Sequence, residues 1–95
     1  MNYAETKKRR IELKNKLEEW AGKIIEATAD IEQLKKEMKD QTKVFLTPNL
    51  THSEVAGRQK TILETKSKID KSTKSLNTAV RMEKETQEKL IQLEK

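Results

Sequence analysis

The sequence predicts an all-α fold, an antiparallel two-helix hairpin with coiled-coil packing, expected to complete itself by dimerising into a four-helix bundle. Three observations carry that reading. Leu13, Leu17, Trp20, Ile24, Ala27, Ile31, Leu34 and Met38 recur at alternating steps of four and three residues, the seam of a helix wound against a partner helix. The one proline, Pro48, stands near the middle of the chain and divides this seam from a second heptad pattern. Finally, 95 residues that are 39% charged and 33% hydrophobic cannot enclose a large globular core, so the apolar stripes must cover one another.

The first helix is expected over about residues 2–43. Asn2 can accept from the amides of the first turn, with Glu5 three residues on as its capping partner. Leu13 takes a d position and Leu17 an a position, and the frame extends back to Arg10 and Tyr3 and forward to Gln41 and Phe45. The turn is expected at about 44–51, where Pro48 lacks a donor and disfavours a helical Thr47.

The second helix is expected over about 52–94. Thr51-His52-Ser53-Glu54 has the form of a capping box, and Leu50 with Val55 can close as a hydrophobic staple. From Val55 the a positions continue through Ile62, Ile69 and Leu76. The d positions are Arg58, Thr65, Ser72, Ala79 and Thr86, and Leu90 and Leu93 finish the row. Small side chains at d leave room for the bulky residues of the first helix. Folding back symmetrically about the turn would set Trp20 near Leu76 and Val80, and Leu34 near Ile62 and Leu63. The 95 residues thus read as one helical-hairpin domain.

Apolar residues also occur off the seam: Ile11, Ile25, Leu63 and Ile91 at b positions, Ala21 and Val80 at e positions. They call for a second layer of helices, most simply a twofold homodimer. Gly22 falls at an outward f position, where it weakens the helix unless the helix bends there or another backbone comes close.

Catalysis needs converging side chains in a water-poor pocket, and a thin coiled coil supplies neither. His52 is the only histidine and belongs to the capping box; cysteine is absent. No metal-binding or phosphate-cradling motif occurs, and the Glu83, Glu85 and Glu88 group has no histidine partner on its helix. The expectation is a protein that is not an enzyme, with no cofactor, no metal and no small-molecule substrate. No apolar run is long enough to span a membrane, and MNYAETKKRR lacks the apolar stretch of a secretory leader. A cytoplasmic location is therefore expected. The Trp20-Ala21-Gly22 triplet matches the Trp-x-Gly of certain secreted helical hairpins in letters only, because their motif lies in the bend and this one lies inside the first helix.

Heptads without chemistry point to a non-enzymatic protein-protein interaction module: an adaptor, inhibitor, regulator or assembly factor. Its expected contacts are Trp20, Ile25 and the hairpin-tip residues Phe45, Leu46 and Leu50. The alternative is nucleic-acid binding through the basic run Lys7, Lys8, Arg9 and Arg10 with Lys14. The chain carries a net charge of +5, and bases near a helix start oppose the helix dipole. Small plasmid-encoded RNA-binding bundles resemble this architecture. Against that alternative, Tyr3, Trp20 and Phe45 are the only aromatic residues, too few for a base-stacking platform.

Overall fold

The computed structural model describes residues 2–46 and 48–94. Two long helices packed against each other make up nearly all of it. Helix α1 spans Tyr3–Lys43, a 3-10 turn follows over Val44–Leu46, and helix α2 spans His52–Glu94. Asn2 caps α1, its Oδ1 accepting from the Glu5 amide at 2.9 Å. Thr51 caps α2, its Oγ1 accepting from the Glu54 amide at 3.1 Å while its carbonyl accepts from the Val55 amide at 3.0 Å. Asn49 takes the left-handed conformation, φ 68°, which asparagine tolerates better than most residues. Pro48 is exposed, and the expectation for Thr47 lies outside the described residues.

The chain packs as two compact units, each an antiparallel pair of helix segments. One joins Met1–Glu26 to Ser75–Lys95, and the other is Ala27–Lys74, which contains the turn. In the first, Leu13 and Ala79 are each 2% exposed, with Thr86 buried and Leu17, Trp20, Ile24 and Leu90 half-buried. In the second, Ile31, Thr65 and Ile69 are buried and Leu34, Met38, Ile62 and Ser72 half-buried. The two buried threonines meet their hydrogen-bonding need inside α2: Thr65 Oγ1 donates to the Thr61 carbonyl at 3.1 Å, and Thr86 Oγ1 to the Met82 carbonyl at 2.7 Å. Each hydroxyl is thereby satisfied without a seam partner.

The pairing of the helices differs from the symmetrical expectation by about one heptad. Trp20 lines a groove with Met82 and Thr86, beyond the Leu76 and Val80 anticipated for it. Leu34 lines one with Lys68, Lys71 and Ser72, not with Ile62 and Leu63. Arg10 meets Glu94, with Nε to Oε1 at 3.7 Å. The same offset shows at the turn, where Gln41, near the end of α1, and Val44, in the 3-10 turn, share a hollow with Arg58 and Thr61. About the first two turns of α2 therefore run past the end of α1, and from residue 51 to 61 only Val55 is not fully exposed.

This register sets large against small. The a positions Leu17, Ile24, Ile31 and Met38 fall opposite the d positions Thr86, Ala79, Ser72 and Thr65. The symmetrical register would have put Met38 against Arg58, whereas the observed one leaves Arg58 exposed. One polar seam position near the turn is unmatched among the described residues: Gln41 Oε1 is buried with no hydrogen-bond partner among them. Gly22 lies in unbroken helix, and a Cβ built there meets nothing within 4 Å, so no other backbone of the chain approaches it.

Candidate interaction surfaces

Within an antiparallel helix pair, the b and e positions of both helices line one lateral side and the c and g positions line the other. The large apolar residues left exposed on the helices divide unequally between these sides. In the unit built on the chain ends they are Ile11, Ile25, Val80 and Ile91, all at b or e. In the turn-containing unit Leu63 is at b, and Leu46, in the 3-10 turn beyond α1, is also exposed. Tyr3, at the start of α1, is 80% exposed.

The opposite, c and g side carries grooves floored by seam residues and rimmed by long charged side chains. In the chain-end unit a groove of about 110 Å³ is lined by Arg9, Lys16, Met82 and Lys89 around Leu13 and Trp20. The Lys23 ammonium stands over the Trp20 ring, 4.5 Å from its centroid. In the turn unit, Asp30 and Gln33 face Lys68 and Lys71 across the same side. These grooves are shallow and bounded by long charged side chains that keep contact with water.

The sequence-predicted contact residues do not converge. Trp20 is half-buried in the seam and opens toward the polar side, whereas Ile25 is 71% exposed on the apolar side, about 140° away around the helix at 100° per residue. Phe45 and Leu50 are half-buried at the turn, and Leu46 is 83% exposed. Leu46 adjoins Met38 and Thr42 on α1 in a shallow depression that Lys35, Lys39 and Lys43 also line. Ile11, Val80 and Ile91, which the sequence marked as off-seam residues and not among the expected partner contacts, share the exposed side with Ile25. Their b and e positions were legible, but that these belong to one side of the unit depends on the antiparallel arrangement of the two helices.

The basic run does not form a single face either. Consecutive helical residues diverge by about 100°, so Lys7, Lys8, Arg9 and Arg10 fan around α1. Arg10 turns into the seam toward Glu94, and Arg9 Nη1 pairs with Glu12 Oε2 at 3.4 Å. Both pairs are about half exposed and therefore weak. Lys7, Lys8 and Lys14 remain exposed with no ion pair to a described residue, and of these only Lys7 and Lys14 share a side.

Among the described residues no group of three or more His, Asp or Glu side chains is placed to hold a metal ion, and no helix is long and apolar enough to cross a membrane. No family model, curated protein or solved structure matches the chain.

Proposed function

We propose that the chain is a non-enzymatic interaction module, an adaptor, inhibitor or assembly factor of the cytoplasm, acting as a homodimer closed into a four-helix bundle. The observation that carries this reading is the one-sided distribution of large exposed apolar side chains in the unit built on the chain ends. Scattered single hydrophobes are ordinary on any protein surface, but segregation to one side is the pattern of a helix pair with a further layer to bind. The exposed area points the same way. The chain presents 7567 Å² to solvent, whereas a globular monomer of 11.1 kDa presents roughly 5,700 Å². Leu46 and its neighbours at the turn supply a second apolar patch for a protein partner.

The test is affinity capture on the immobilised full chain, with and without nuclease, for the wild type, Leu46→Arg and Ile25→Arg. Protein capture that survives nuclease and falls in at least one variant supports the module. Capture that disappears with nuclease overturns it in favour of nucleic-acid binding, the second reading, which the exposed Lys7, Lys8 and Lys14 support. A gel shift at two salt concentrations tests that reading, since phosphate contacts weaken steeply as salt rises.

A further inference from the structure

The homodimer reading leaves open which face pairs and in what orientation, and the chain-end unit carries enough detail to answer both. On its apolar side the outermost row of α1 is Ile11, Glu18 and Ile25, spaced by heptads. The outermost row of α2, taken in the direction of α1, is Ile91, Lys84 and Asn77, with Val80 one turn from Asn77. In the observed register Ile11 stands at the level of Ile91, Glu18 at the level of Lys84, and Ile25 beside Val80. The two rows thus match at two levels, apolar against apolar and acid against base, and at the third Ile25 stands level with Asn77, with Val80 of the inner row one turn away. Within one chain these rows diverge from the seam, and neither Glu18 nor Lys84 makes an ion pair with a described residue.

Two twofold arrangements can bring this face onto itself. A twofold across the helices stacks α1 on α1 of the second copy. Covering Ile11 with Ile25 then centres the contact on Glu18, so two glutamates meet and the lysines at Lys84 approach each other. A twofold along the helices lays α1 antiparallel on α2 of the second copy instead. Ile11 then meets Ile91, and Glu18 meets Lys84, twice in the dimer. Like charges juxtaposed at an interface are strongly disfavoured and opposite charges set the register, so the second arrangement wins. Charge also argues against a polyanion as occupant: at b and e positions Lys7, Lys14 and Lys84 are nearly balanced by Glu18 and Glu94.

We infer that the face carrying Ile11, Ile25, Val80 and Ile91 binds the same face of a second copy of this chain, α1 of each lying antiparallel on α2 of the other, with Glu18 set against Lys84. This rests on the self-association proposed above. Sedimentation of the full chain over a concentration series tests it with Glu18→Lys, Lys84→Glu and Ile25→Arg. The wild type sediments as a dimer, and each charge variant alone dissociates about tenfold or more readily, because attraction becomes repulsion at two places. An equimolar mixture of Glu18→Lys with Lys84→Glu regains dimers, since every facing pair is then again opposite in charge. A monomeric wild type with unchanged helicity overturns both the dimer and this face. A dimer indifferent to both charge variants and to Ile25→Arg overturns the face while the dimer stands. Dimers weakened by Ile25→Arg but indifferent to each charge variant alone overturn the orientation, because stacking α1 on α1 sets like charges together in the wild type and in both variants alike.

Discussion

Ala79 is 2% exposed and lies opposite Ile24 in the register, so Ala79→Leu forces three further carbon atoms into a filled layer of the seam. Overpacking of this kind costs about 1–3 kcal/mol. Ile24→Ala alone removes three carbons from a half-buried site, and because such a site relaxes partly, its cost lies near the low end of the usual range, about 2 kcal/mol. In the double variant the new leucine occupies the space the isoleucine vacates. The two effects should then offset, giving a favourable coupling of about 1 kcal/mol or more. Leu17→Ala is the control: in the symmetrical register Leu17 would face Ala79, whereas here it faces Thr86, and its effect should add to that of Ala79→Leu within about 0.5 kcal/mol. Urea unfolding followed by far-ultraviolet circular dichroism, at one fixed chain concentration, gives each value. Coupling of Ala79→Leu to Leu17→Ala rather than to Ile24→Ala would refute the register.

Three smaller perturbations test the elements. Gly22→Ala should stabilise the chain by about 1 kcal/mol, read as a higher urea midpoint, because an added Cβ meets nothing within 4 Å and the helix gains propensity. Thr51→Ala should cost about 1 kcal/mol through loss of the cap on the Glu54 amide, and Thr51→Ser should recover most of it. Glu94→Gln should change stability by less than about 1 kcal/mol, and the difference should shrink with added salt, because the pair with Arg10 is about half exposed.

The seam and both helix starts were legible in the sequence because they depend on local order: heptad spacing for Leu13 to Met38, and a hydroxyl or amide side chain ahead of the first turn for Thr51 and Asn2. The register was not legible. A heptad pattern matches itself after every seven residues, so shifting α2 by one heptad still buries Ile69 and Ala79. What separates the two registers is long-range: Arg58 clear of Met38, Arg10 beside Glu94, and a connection that lets the first turns of α2 overrun α1. The described ion pairs of the basic run use Glu12 and Glu94, the latter brought beside Arg10 by the same shift. The candidate surface was legible residue by residue and not as a surface. Ile11, Ile25 and Ile91 stood out as off-seam hydrophobes, but their grouping follows only from antiparallel pairing. Trp20 drew notice as a large aromatic residue, and its d position explains why it is half-buried.

Every surface described above depends on α2 folding back along α1 within one chain. Spin labels at Glu12→Cys and Gln92→Cys, both exposed positions in a chain with no cysteine of its own, measure this directly when labelled chains are diluted with unlabelled ones. Helix axes 8–10 Å apart, plus the label arms, place the pair within about 25 Å. A continuous helix would separate the same positions by about 120 Å at 1.5 Å per residue, so a distribution lacking the short distance would contradict the fold and every surface derived from it.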